Sequence, residues 1–233
     1  MKEDKILYTH SEFDSFKVLF KLKCRLQPIV DLASDNIIAY ELLSKIEGHN
    51  EPNLFFSGLD AAMMLRIVTE QIKLVESLQN KNDLDKECRV YINLSPEIIA
   101  SPEATKYICQ KSECLLAFEL DYSQMLKSSI HIPSSSIDII KKHSHELWLD
   151  DFDADISFLG HLSTLWHGIK IDKSILWRYG MDLKSLSLIA SERNHYSRGL
   201  IIEGIETEQQ LSICKRAGFT YGQGFYWKDK KIQ

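Results

Sequence analysis

Residues 145–159 read HELWLDDFDADISFL, an apolar, strand-like segment that runs directly into four aspartates within six residues. Carboxylates at such close spacing raise the cost of ionising one another, so something must neutralise them. Bound cations, solvation on a loop and the basic surface of a partner are the three candidates. The four side chains on which this choice depends are Asp150, Asp151, Asp153 and Asp155.

The rest of the chain alternates similar short apolar segments with stretches of helical period. Strands are predicted at 24–32, 37–43, 89–94, 114–120, 146–151, 168–173, 199–205 and 220–227, and helices at 60–79, 96–111, 134–144, 157–166, 174–193 and 206–217. This alternation predicts an α/β protein with a parallel sheet, and about eight strands favour a closed β/α barrel over the alternative, an open doubly wound sheet. Because no Pro-, Gly- or Ser-rich linker divides the chain, we expect one stand-alone domain over residues 1–233.

Composition narrows the function classes. The 233 residues are 44% hydrophobic and carry a formal net charge of -5, so direct nucleic-acid binding is not expected. The five cysteines form no C-x-x-C pair, and the glycines form neither a dinucleotide-binding nor a P-loop motif. The charged start MKEDKILYTH is unlike a signal peptide, and no segment has the roughly 20 apolar residues of a membrane span. We therefore expect a cytoplasmic protein without membrane contact.

Polar side chains lie at or near the ends of most predicted strands. The C-terminal strand ends of a β/α barrel converge on one mouth, where active sites are built. A single acid there is often structural, but seven strands that each deliver a polar group to one rim indicate a site. Carboxylates with one amide match hard cations such as Mg²⁺ or Mn²⁺. The residues are Glu41, Asn93, Glu119, Asp150, Asp151, Lys170, Asp172, Glu203 and Gln223.

The chain resembles the EAL domain family, which opens cyclic di-GMP to linear pGpG. The resemblance extends over residues 25–227 and lies in motifs that follow the family's order: QPIVDL, YELLSK, VYINLS, FELD, WLDDF, IKIDKS, IIEGIETEQQL and GQGF. It implies a modified TIM barrel whose first strand runs antiparallel to the others, and Mg²⁺ or Mn²⁺ as cofactor. The implied metal ligands are Glu41, Asn93, Glu119, Asp150 and Asp151. The implied catalytic residues are Lys170, Glu203 and Gln223, and the implied substrate-binding residues are Gln27, Lys45 and Asp172.

Several positions depart from the family pattern. The family continues its double aspartate as D-D-F-G-T-G, whereas this chain has Asp153, Ala154 and Asp155, which lack glycine's freedom to adopt positive φ. Tyr122 replaces the acid that steadies this loop in the family. Lys45 replaces a phosphate-gripping arginine and so loses the bidentate fork. The family's closing helix is also missing from the sequence after Phe225.

These departures leave three functions open. The first is an active cyclic di-GMP phosphodiesterase, favoured by the complete ligand set. The second, which we favour from the sequence, is a degenerate EAL protein of the YdiV-like group with little or no turnover. Such a protein acts in motility or biofilm regulation by binding a regulatory protein, for example the flagellar master regulator FlhDC. The third is a sensor that binds cyclic di-GMP without hydrolysis.

Overall fold

The strands of this computed structural model close into a barrel. The structure describes residues 6–10, 19–46, 56, 58–128, 130–153, 166–180, 182–194 and 199–232. The strands β1–β9 pair in sequence order, and β9 also pairs with β2, so that β2–β9 form a closed ring of eight. The strand β2 runs antiparallel to both of its ring neighbours, whereas the other neighbours pair in parallel. The modified TIM barrel is therefore confirmed, and the open sheet is wrong.

The described elements largely follow the predicted alternation. The strands are β1 (Ile6–His10), β2 (Leu19–Asp31), β3 (Ile37–Ile46), β4 (Arg89–Asn93), β5 (Leu116–Asp121), β6 (Glu146–Phe152), β7 (Gly168–Ile171), β8 (Gly199–Ile202) and β9 (Tyr221–Gly222). The helices are α1 (Ala61–Asn80), α2 (Pro96–Ala100), α3 (Pro102–Gln110), α4 (Tyr122–Ser128), α5 (Ser134–Lys142), α6 (Lys173–Tyr179), α7 (Leu183–Asn194) and α8 (Glu208–Ala217).

Two predicted helices are each divided in two. The stretch 96–111 breaks at Ser101, whose extended backbone precedes Pro102 and whose side chain accepts a hydrogen bond from the Ala104 N–H. The stretch 174–193 breaks after Gly180, which has φ of 52°. The helix predicted at 157–166 falls almost wholly in 154–165, outside the described residues. The strand β1 and the helix α4 were not predicted, and β9 is shorter than expected.

The barrel interior is filled below its mouth by a layer of apolar side chains. Its largest member is Trp148, which occupies the space that two glycines, one on β7 and one on β8, leave open. A Cβ atom added to Gly168 or Gly199 would lie 2.2 Å or 2.7 Å from the indole ring of Trp148. The layer therefore forms a packed floor, and its members are Ile29, Ala39, Tyr91, Ala117, Trp148 and Ile201.

The helices pack around the outside of the ring and bury a second, larger apolar core. The helix α1 contributes one face of buried residues, including Ile67, Ile72 and Val75, as its period predicts. The helix α8 begins with a capping box between Thr207 and Gln210 and ends at Gly218 in the left-handed conformation. Within the described part of the chain, no helix combines the length and apolar character that a membrane crossing needs.

Candidate metal and substrate site

A layer of polar side chains lies directly above the floor. Six of these residues are two positions along the strand from a floor residue, and Lys170 and Gln223 are two positions from Gly168 and Tyr221. Because successive side chains of a strand alternate between faces, the same inward face carries both layers. Every strand of the ring contributes one member, either within the strand or, for Glu203 and Gln223, directly after its last residue: Gln27, Glu41, Asn93, Glu119, Asp150, Lys170, Glu203 and Gln223. Seven of these eight were predicted at the mouth from strand positions, and Gln27 was implied by the family resemblance.

Lys170 is the centre of this layer. Its ammonium nitrogen lies 2.9 Å from a carboxylate oxygen of Glu119 and 2.9 Å from one of Glu203. It also lies 3.0 Å from Asp150 and 3.2 Å from Glu41. Burial opposes the charge of this side chain, which is only 1% exposed, but the four carboxylates together raise the pKa of Lys170 well above its usual value.

Two amide side chains join the acids to one another. The Asn93 amide donates to Glu41 and Glu119 over 3.3 Å and 3.4 Å, respectively. The Gln223 amide donates to Glu41 and, over 3.1 Å, to Gln27. These bonds hold the acid side chains in place, and they make Gln27 a member of the same hydrogen-bond network.

A bulge in β6 brings two consecutive aspartates to the mouth. The pairing of β6 with β7 shifts register between Leu149 and Phe152, and Asp151 within this interval has φ of 51°. Strand alternation alone would point Asp151 away from Asp150, but the extra residue and the left-handed backbone turn it toward the mouth. As a result, carboxylate oxygens of Asp150, Asp151 and Glu203 lie within 4.8 Å of one another.

The acids carry more negative charge than Lys170 can balance. Burial, followed by nearby acids, raises the pKa of Glu203 to about 7 and that of Asp151 to about 8. Burial and Glu41 raise the pKa of Glu119 well above its usual value. Glu41 opposes this trend: despite burial, Lys170 and Gln223 hold its pKa below the usual value. Four carboxylates around the Lys170 ammonium, with Asp151 close to two of them, form a donor set that fits a hard divalent cation.

The polar layer forms the bottom of an open cavity of about 1230 Å³. Its wall includes Lys45, which the family resemblance implies as a substrate-binding residue. Asp172 is not among the residues that line the cavity. Instead, it caps α6, where its carboxylate accepts a hydrogen bond from the Ser174 N–H at 2.8 Å.

The altered loop is described only at its start. Asp153 is solvent-exposed, whereas Ala154 and Asp155 lie outside the described residues. Tyr122 is 7% exposed and packs edge-to-face on Phe152, with ring centroids 4.9 Å apart. An aromatic contact therefore occupies the position at which the family resemblance implies an acid.

Among the cavity-wall residues that the sequence prediction missed, three bear on the site. Arg25 and Asp121 lie two residues beyond Gln27 and Glu119 on the same strand faces, so strand alternation was a signal that could have identified them. Trp177 lies in α6, whose start directly follows β7. Its position depends on how α6 leaves the barrel, for which the sequence has no comparable signal.

The fold and this site define a β/α barrel with an acidic, oxygen-ligand cluster at its C-terminal mouth. The chain belongs to the EAL domain family, whose model matches residues 19–229. Among curated proteins it is 26% identical over 221 residues to the "Probable cyclic di-GMP phosphodiesterase PdeB" of Escherichia coli, covering 86% of this chain and 41% of that protein. It is 26% identical over 183 residues to "Cyclic di-GMP phosphodiesterase PdeH" of the same organism, covering 75% and 68%. The chain thus spans about two fifths of the length of PdeB.

Solved structures give the same fold. The structure titled "Klebsiella pneumoniae BlrP1 pH 8.0 calcium/cy-diGMP complex" matches with a TM-score of 0.73 at 19% identity, covering 91% of this chain and 57% of that one. "PaMucR Phosphodiesterase, c-di-GMP complex" matches with a TM-score of 0.71 at 20% identity, covering 89% and 91%. At these identities the similarity establishes the fold alone.

Proposed function

We propose that the chain is a metal-dependent cyclic di-GMP phosphodiesterase of the EAL type, which hydrolyses its substrate to pGpG. The observation that carries the proposal is the convergence of Glu41, Glu119, Asp150 and Glu203 on Lys170, with Asp151 turned toward the same point by the β6 bulge. A purely structural role does not explain five acids at one rim, because buried like charges destabilise the fold. Curated EAL proteins named as cyclic di-GMP phosphodiesterases support the same assignment.

The ligands proposed for Mg²⁺ or Mn²⁺ are Glu41, Asn93, Glu119, Asp150 and Asp151, with Glu203 beside them. When bound, divalent cations at such a site polarise phosphoryl oxygens and lower the pKa of water. In the proposed reaction, a water oxygen forms a bond to phosphorus, the bond from phosphorus to one ribose O3′ breaks, and a proton passes to that O3′. Lys170 is proposed to hold the attacking water by hydrogen bonding from its Nζ, while Gln223 keeps Glu41 in place.

The floor of the barrel limits the direction from which the substrate can reach the acids. The packed floor beneath Lys170 leaves no space for substrate below the acid layer, so the phosphodiester must approach from the open mouth. Lys45 and Arg25 are among the basic residues that line the cavity, and Arg25 also pairs with Asp229 at 2.6 Å. The same proposal places the protein in the cytoplasm, where cyclic di-GMP signalling takes place.

Turnover and metal binding test this function together. Purified protein with Mn²⁺ should convert cyclic di-GMP to pGpG, and a chelator should abolish the conversion. The double variant Asp150→Asn, Glu119→Gln should lose both turnover and most Mn²⁺ affinity in calorimetry. The double variant Asp138→Asn, Glu113→Gln is the matched control, because both acids are exposed outside the mouth. Unchanged Mn²⁺ affinity in the first double variant would rule out the metal assignment.

Tyr122 favours a second candidate function, in which turnover is small and the protein acts by binding a regulatory partner. The edge-to-face contact with Phe152 packs Tyr122 against the start of the loop, whereas the acid that the family resemblance implies at this position would bring a negative charge. FlhDC is the partner suggested by the resemblance to degenerate EAL proteins. The negligible turnover expected from the sequence stays a prediction.

Restoring the family pattern distinguishes the two candidates. The changes are Tyr122→Glu, Lys45→Arg, Asp153→Gly, Ala154→Thr and Asp155→Gly. If positioning by the loop limits the reaction, this variant should exceed the wild-type rate by about tenfold or more, because correct placement of the phosphodiester multiplies the effect of the metal site. If wild-type turnover is already brisk, the variant should gain little, and the degenerate interpretation fails.

A further inference from the structure

Trp177 is a large aromatic side chain that the proposed chemistry does not use. Its side chain is 56% exposed and lies on the wall of the cavity at the mouth. The two buried tryptophans, Trp148 and Trp166, have their indole rings packed in the interior. An indole ring this exposed inside a concave site is in contact with water. A flat apolar ligand surface that covered the ring would therefore bind with a favourable hydrophobic contribution.

The position of Trp177 is fixed by its neighbours. The Lys173 ammonium lies 5.7 Å from the centroid of the indole ring, one helical turn earlier in α6. Gly204 has φ of 80° and no side chain, and this allows the loop after β8 to approach α6 closely. A Cβ atom added to Gly204 would lie 2.6 Å from the Lys173 Cβ and 3.5 Å from the Trp177 Nε1.

This arrangement places the indole beside the acid cluster. Gly204 directly follows Glu203, whose carboxylate lies 2.9 Å from the Lys170 Nζ. A phosphodiester held at the acids therefore shares its cavity with the indole of Trp177, which lies against Gly204, the residue that follows Glu203. The cavity volume of about 1230 Å³ exceeds the roughly 300–1,000 Å³ of common small-molecule sites and so leaves room for bases as well as phosphates.

We propose that Trp177, held by Lys173, is a stacking platform for one guanine base of a cyclic dinucleotide bound at the mouth. This inference rests on the proposed function, since it assigns a further contact within the same site. Aromatic side chains stack on nucleobases through their π-faces, and the loss of one such contact weakens binding substantially. Trp177 thus contributes affinity for the base, while the acid layer is the site of the phosphodiester.

The test measures cyclic di-GMP binding by calorimetry in the presence of Ca²⁺, the ion named with this ligand in one of the similar structures. Trp177→Leu keeps apolar bulk but removes the π-face, and its Kd should rise by about tenfold. Trp177→Phe keeps a π-face and should stay within about threefold of the wild type. Leu188→Ala is the control, because Leu188 is 59% exposed on α7 and does not line the mouth.

Tryptophan fluorescence supplies a second readout that does not depend on the leucine variant folding. Stacking of guanine on Trp177 should quench the wild-type emission on titration with cyclic di-GMP, and Trp177→Phe should bind without that quenching. Equal Kd values for wild type, Trp177→Leu and Leu188→Ala would overturn the platform and leave the proposed function intact, as would binding without a Trp177-dependent quench. A wild type that binds no cyclic di-GMP would overturn both.

Discussion

Replacement of Lys170 by methionine should destabilise the metal-free protein strongly. Methionine keeps most of the side-chain length and removes the charge that four carboxylates share at 2.9–3.2 Å. Loss of one partner of a buried ion pair costs about 3–5 kcal/mol, since the remaining charges stay buried without compensation. In a domain of this size each kcal/mol shifts the unfolding midpoint by about 2–4 °C, so we expect a fall of about 6–20 °C.

The loss of stability in Lys170→Met should depend on pH and on bound metal. Glu203 has a pKa raised from 4.5 to about 7, so the folded state binds a proton more tightly than the unfolded chain. The stability from that proton is complete below pH 4.5 and is lost as the pH rises through 7. The difference in unfolding midpoint between wild type and Lys170→Met should therefore be larger at pH 8 than at pH 5. Saturating Mn²⁺ should recover part of the midpoint, because a cation that binds only the folded state stabilises it.

Differential scanning calorimetry in chelator and in Mn²⁺ measures these effects. Lys73→Met is the matched control, since Lys73 pairs with Glu70 at 2.6 Å on the surface of α1 with its side chain 62% exposed. Such a pair contributes at most about 1 kcal/mol. Equal midpoints for Lys170→Met and Lys73→Met in chelator at pH 8 would refute the view that Lys170 is the internal counter-ion of the acid cluster.

Two further predictions concern the fold that supports the site. Gly168→Ala should lower the free energy of unfolding in urea by about 1–3 kcal/mol, because the new methyl group meets the Trp148 ring. The additional change Trp148→Phe should recover part of this loss. A Gly168→Ala variant as stable as the wild type would contradict the packed floor. His145 is buried, which lowers its pKa from 6.5 to about 4, so stability from its neutral form is complete above pH 6.5 and falls as the pH approaches 4. Between pH 7 and pH 4 the wild type should lose about 3 kcal/mol more than His145→Gln, and parallel losses in the two proteins would contradict this pKa.

The inward face of the barrel was largely predictable because it depends on strand period alone. Glu41, Asn93, Glu119 and Glu203 each follow an apolar residue by two positions near a strand end, and such spacing places both on one face. The closed ring was also predictable from the number of alternating elements. The orientation of β2 came from the family resemblance, since strand period carries no direction.

Other features depend on contacts between distant segments. Asp151 reaches the mouth only because β6 bulges against β7, and a bulge is set by the register of two paired strands rather than by either sequence alone. The strand β1 exists as the hairpin partner of β2, so its formation depends on that pairing. Trp177 joins the site through the close approach of Gly204 to α6. Asp151 was expected at the mouth from the sequence, but the bulge that brings it there, the strand β1 and the place of Trp177 required the assembled structure.

Hydrolysis of cyclic di-GMP in ¹⁸O-labelled water tests the central claim most directly. Mass spectrometry of the product reports both turnover and the origin of the new phosphate oxygen. The account predicts that wild-type protein with Mn²⁺ yields pGpG with one ¹⁸O in its terminal phosphate, and that a chelator or Asp150→Asn prevents product formation. Intact cyclic di-GMP after prolonged incubation of folded, Mn²⁺-loaded wild-type protein would contradict the phosphodiesterase assignment.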